Sequence, residues 1–143
     1  MKLDLTPLEN AVTQLEDSLV QYESNIVRQY PTIQNQMRAG AIQAFEFTYE
    51  LSVKMIRRYL EQISANPEEV DQLDFRNLLR MARQQGLLHS EPDAWMRYRA
   101  DRGATSHAYN EARAERVFQG ISEFLREARY LLKELQEKNE RLD

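Results

Sequence analysis

Leu5, Leu8, Val12, Leu15, Leu19, Tyr22 and Ile26 recur at alternating spacings of three and four, the period of one helical face. The pattern predicts a helix over about residues 5 to 28 whose apolar stripe needs a partner. Pro31 should end or restart the chain, because it lacks an N–H and disfavours helical geometry at Tyr30. A second helix is predicted from about 32 to 64. It carries two apolar rows, one through Met37, Ala41, Ala44, Thr48, Leu51 and Met55, the other through Ile42, Phe45, Tyr49, Val53, Ile56 and Leu60. A helix apolar over so wide an arc is buried by several neighbours and is expected at the centre.

Asn66-Pro67-Glu68-Glu69 reads as a helix start, with Asn66 as the cap, proline in the first turn and carboxylates complementing the helix dipole. Phe75, Leu78, Leu79 and Ala82 continue a helix that Gly86 should close in a left-handed conformation. Ser90-Glu91-Pro92-Asp93 resembles a capping box opening a further helix through Trp95, Met96 and Tyr98. The run from Asp101 to Ser106 reads as a tight loop. From about Ser106 a long helix is expected nearly to the end, with Val117, Ile121, Phe124, Leu125, Ala128, Leu131, Leu132 and Leu135 inward and the last six residues frayed. The fold class is therefore all-α: three long helices and several short ones, antiparallel to their neighbours, in a single domain over 1–143.

Composition sharpens this picture. Only 4 Gly and 4 Pro occur among 143 residues, and there is no cysteine, which excludes disulfides, thiol nucleophiles and cysteine-ligated metals. No signal-peptide core or membrane-spanning run occurs, so a cytoplasmic protein is expected. A net charge of −4 argues against nonspecific coating of nucleic acid. The charge is uneven. Residues 76 to 102 hold six Arg against Glu91, Asp93 and Asp101, a net of +3 that leaves −7 for the remainder. That segment reads either as a basic face for a phosphate or acidic partner, or as ordinary solvated helix surface.

Glycine-rich phosphate loops, nucleophile elbows and His-Glu-x-x-His pairs are missing, and with two His and no Cys neither a metal site nor a cofactor is expected. What remains is Arg102-Gly103-Ala104-Thr105-Ser106-His107-Ala108-Tyr109. RNA cleavage by 2′-hydroxyl attack needs a base, an acid and a cation for the charge developing at phosphorus. Arg102 beside His107 supplies two of the three, and a twofold dimer would supply the rest. Thr105 and Ser106, at the expected helix start, are candidate anion-binding residues. An Arg and a His separated by four residues are common, however, and a lone His at a helix start is more often a cap or a surface residue. Glu46, Glu50 and Lys54 at i, i+4 and i+8 form a charged stripe, with the two carboxylates as possible supports for the site. Trp95 and Tyr98 are expected as core or interface anchors, and His89 at the surface.

The run from Ala41 through Ala44-Phe45-Glu46-Phe47-Thr48-Tyr49-Glu50-Leu51 to Lys54, followed by the Trp95 helix and by Arg102 to Tyr109-Asn110-Glu111, resembles the nucleotidyltransferase substrate-binding family of the HEPN superfamily. The resemblance covers about residues 5 to 137. It implies an up-and-down four-helix bundle that forms a homodimer and pairs with a small nucleotidyltransferase, as in HEPN–MNT toxin–antitoxin modules. By the same resemblance Arg102 and His107 match the Arg-x4-His pair of HEPN ribonucleases, and Tyr109 matches the tyrosine that the partner adenylylates in related toxins. Gly103 departs from the polar residue usual after the arginine. The resemblance leaves two functions open: a metal-independent endoribonuclease silenced by its partner, or a non-catalytic substrate-binding or scaffold subunit.

Overall fold

The computed structural model describes residues 1–105 and 111–142. The described elements are α1 (Thr6–Tyr22), α2 (Asn25–Arg28), α3 (Pro31–Ile63), α4 (Pro67–Asp71), α5 (Phe75–Gln84), α6 (Pro92–Ala104), α7 (Glu111–Gln119) and α8 (Ile121–Asn139). The architecture is the expected all-α bundle. With 33 residues α3 is about 50 Å long, and it touches each of the other seven helices. Both of its apolar rows go inward: Ala41, Thr48 and Met55 from one, Ile42, Phe45, Tyr49, Ile56 and Leu60 from the other. Leu8, Val12 and Leu15 of α1 close one side of the core. Phe124, Leu131 and Leu135 of α8 close another.

The centre is aromatic. Phe124 meets Phe45 edge to face at 5.0 Å and Tyr98 at 5.2 Å, while Trp95 meets Tyr98 at 5.5 Å. Such edge-on pairs add about 0.5–1.5 kcal/mol each beyond area burial, so Trp95 and Tyr98 are core anchors that fix α6 against α3 and α8. Among the described residues no helix is long and apolar enough to cross a membrane.

Local chemistry explains most boundaries. Pro31 occupies the first turn of α3 behind an extended Tyr30. Gly86, at φ +80, closes α5 with paired Gly86 N–H to Arg83 and Leu87 N–H to Ala82 carbonyl bonds, as expected. Six expectations need correction. The first helix stops at Tyr22, because Ser24 accepts from the Val27 N–H at 3.4 Å and starts α2. That turn buries Val27 and leaves Ile26 71% exposed. Asn66 caps α4 by position only, its side-chain amide facing Glu69. Ser90 caps nothing; its hydroxyl donates to Glu127, a buried carboxylate that also takes the Trp95 indole N–H at 3.2 Å. Residues 101–104 are helical, carried on by the buried face of α6. The last helix is interrupted at Gly120, where a Cβ would lie 3.1 Å from the Asp101 carboxylate. The tail is also held further than expected, since Asn139 exchanges hydrogen bonds with the Leu3 backbone at 2.8 and 3.0 Å.

Candidate functional site

Trp95, Tyr98 and Arg102 fall at i, i+3 and i+7 and share one face of α6. The first two are buried, and Arg102, its side chain 33% exposed, emerges at the rim where that face meets α3. Its position in the last turn suits a cation at the negative end of the helix dipole. Its Nε and one terminal nitrogen donate to the same Glu50 oxygen at 3.1 and 2.5 Å. Glu46, one turn earlier on α3, lies 3.9 Å from the other terminal nitrogen. The hydrogen bonds that Arg102 donates to Glu50, and then the charges of Glu50 and Glu46, push the Arg102 pKa above its ordinary value. The guanidinium is a permanent cation.

Thr105 completes the turn. Its hydroxyl donates to the Arg102 carbonyl at 2.7 Å and accepts from an Arg102 terminal nitrogen at 3.3 Å. This buried residue therefore braces both the backbone and the side chain of Arg102. Tyr49 sits beneath the pair. Burial pushes its phenol up to about 12, against the pull of Arg99 and Arg102. It is neutral at physiological pH and cannot serve as a base there.

Glu46 and Thr105 also line a cleft of about 450 Å³ between α3 and the α6 and α7 ends, together with Arg38, Gln43 and Glu111. Arg38 was not legible as a site residue. Its side chain, 15% exposed, pairs with Glu115 of α7 at 2.9 Å and brings a guanidinium to the cleft beside the carboxylates of Glu46 and Glu111. The available signal was the i, i+4, i+8 row Arg38, Ile42, Glu46 on α3, but nothing in the sequence shows that α7 meets it.

Four of the candidate residues, Arg102, Thr105, Glu46 and Glu50, are thus brought together. The charged stripe of α3 pairs across helices, with Glu50 turned to Arg102. Ser106, His107 and Tyr109 lie outside the described residues. His89 is exposed, as expected, with its ring 5.3 Å from that of Tyr130. Chemically, the rim offers a guanidinium held by an exposed carboxylate, a neighbourhood where an incoming phosphate can exchange with Glu50 without a large desolvation cost.

The fold and this rim define an all-helical bundle that carries an arginine, held by two carboxylates and a threonine, where the end of α6 meets α3. The chain belongs to the family described as nucleotidyltransferase substrate binding protein like, which it matches over residues 3–137. It is 40% identical over 108 residues, 76% of this chain and 73% of the relative, to a Haemophilus influenzae protein named "Probable ribonuclease HepT". A solved Haemophilus influenzae structure, described as the fold of a substrate binding domain of a nucleotidyltransferase, superposes with a TM-score of 0.88 at 37% identity. It covers 93% of this chain and 99% of that one. A Thermus thermophilus structure gives a TM-score of 0.68 at 27% identity, over 90% and 98% of the two chains.

Proposed function

We propose that this chain is the helical partner of a small nucleotidyltransferase encoded beside it, and that it carries a metal-independent endoribonuclease site centred on Arg102 and His107. The observation that carries this reading is the Arg102 guanidinium, anchored by Thr105 and Glu50 at a cleft rim, in a chain 40% identical to a protein named as a ribonuclease. Arg102 holds the scissile phosphate. His107 takes the proton of the 2′-hydroxyl as O2′ bonds to phosphorus, and the P–O5′ bond breaks as a second imidazole protonates the leaving oxygen. The second imidazole comes from another copy of the chain, so the active form is a homodimer. The setting is the cytoplasm, where the partner transferase moves a nucleotidyl group from ATP to the Tyr109 hydroxyl and releases pyrophosphate. The new phosphodiester then competes with RNA for Arg102.

A second reading rests on Glu50, which already occupies two Arg102 donors. On that reading the chain presents a substrate to the transferase and cleaves nothing. The test is incubation of purified chain with RNA in the presence of EDTA, and product analysis by mass spectrometry. Ends carrying 2′,3′-cyclic phosphate, lost in His107→Ala, are expected. Intact RNA alongside an unchanged complex with the transferase would favour the second reading.

A further inference from the structure

The outer face of α5 is a row of arginines. Phe75, Leu78, Leu79 and Ala82 pack toward the core, with the last three fully buried. Arg76, Arg80 and Arg83, at i, i+4 and i+7, stand on the opposite face over about 10 Å of helix. They line an open cleft of about 570 Å³ whose other wall is Glu91, Pro92 and Asp93 at the start of α6.

The row is only partly neutralised. Arg76 pairs with Asp93 at 2.7 Å and Arg83 with Glu91 at 3.1 Å, and both carboxylates are 74% exposed. Exposed pairs of this kind hold weakly and are screened by salt. Among the described residues Arg80 donates only to a neutral oxygen, Asn77 Oδ1 at 3.3 Å in its own helix. Arg76, by hydrogen bond and charge, and then Arg97 and Arg80 hold the Asp93 carboxyl below its usual range. Asp93 therefore sits in the field of three guanidiniums. The positive surface continues toward the candidate site, because Arg99 lies over the Phe75 ring at 4.9 Å, three residues before Arg102. This stretch holds the +3 of residues 76 to 102 in a chain whose remainder is −7.

We propose that Arg76, Arg80 and Arg83 form a docking surface for the phosphate backbone of RNA, whose phosphates displace Asp93 and Glu91 from their arginines. The proposal rests on the reading of this chain as one that acts on RNA. Three observations favour that occupant. Guanidinium forks match phosphate oxygens two at a time. The cleft is an open trough along a helix, suited to a strand lying across it. The carboxylates of an acidic peptide would offer the arginines nothing that Glu91 and Asp93 do not already give, whereas a nucleic-acid backbone adds the entropy of released counterions.

The test is fluorescence anisotropy with a labelled single-stranded RNA, on the full chain in a His107→Ala background so that the RNA is not consumed. Arg80→Glu should weaken binding about tenfold or more, and each Arg→Ala change in the row should reduce the salt slope by about 1. Asp93→Asn should tighten binding several-fold. Thermal melts confirm that each variant is folded. Unchanged affinity and slope in Arg80→Glu would overturn the proposal, as would competition by polyglutamate as effective as that by RNA at equal charge. Cleavage is scored separately with His107 intact. Binding lost in the arginine variants of a chain that never cleaves supports the surface and defeats the nuclease, while cleavage with arginine-independent binding does the reverse.

Discussion

Arg102 of α6 and Glu50 of α3 meet through two N–H donors on one carboxylate oxygen, at 3.1 and 2.5 Å. The acceptor is 57% exposed, so the contact contributes no more than about 1 kcal/mol to stability. Its larger effect is on availability, since a phosphate that binds the Nε edge of Arg102 must take those donors from Glu50. Glu50→Gln should leave the urea midpoint nearly unchanged and raise RNA affinity at low salt. Arg102→Ala should abolish cleavage while the chain remains folded. Lower RNA affinity in Glu50→Gln, in an anisotropy titration, would mean that the carboxylate orients the arginine for substrate instead of occupying it.

Among the described residues Glu127 is the one buried carboxylate, 4% exposed, and it accepts from the Ser90 hydroxyl and the Trp95 indole. Glu127→Ala strands both donors and opens a void, a loss of about 3 kcal/mol. Glu127→Gln keeps one acceptor and should cost about half of that. Urea unfolding followed by Trp95 fluorescence reads both, and an unchanged midpoint in Glu127→Gln would assign the effect to packing alone.

Tyr49 and Tyr98 should titrate late. Burial raises the Tyr49 phenol from 10.0 to about 12. Burial, followed by the charge of Glu123, raises that of Tyr98 further. A raised folded-state value favours the neutral form, so the stability it represents is complete below pH 10 and is lost as the pH rises through about 12. Absorbance at about 295 nm, where the phenolate absorbs, should show these two phenols ionising only as the chain unfolds, and Tyr49→Phe should remove one of them from the late phase.

Glycines at two positions should respond with opposite sign. A Cβ at Gly40, within α3, meets nothing within 4 Å, and Gly40→Ala should stabilise by about 0.5–1 kcal/mol. Gly86 holds φ +80, and Gly86→Ala should destabilise by about 1 kcal/mol through the left-handed backbone. Thermal melts of the two variants check both signs.

The sequence carried the long helices because their apolar periods are unbroken over many turns, as in the two rows of α3. It lost the boundaries at Ser24 and Gly120, where a cap and a close approach to Asp101 decide and no change of period announces either. The stretch at 101–104 looked like a loop because glycine and small residues cluster there, yet the Trp95 and Tyr98 face carries the helix past them. The candidate site was legible as far as local order goes. Arg102 and Thr105 were read from one motif, and Glu46 and Glu50 from a separate stripe. Their meeting is a matter of helix packing, as is the entry of Arg38 through Glu115, and spacing along the chain holds no record of either.

The contact of α3 with every other helix sets the order in which amide protons are lost to solvent. Its middle turns, from Ala41 to Leu60, can exchange deuterium only when the whole bundle opens, whereas the short α2 and α4 can open locally. The carboxylates that face Arg102 therefore stand on the slowest-exchanging backbone of the chain, and a fluctuation at either periphery leaves their spacing untouched.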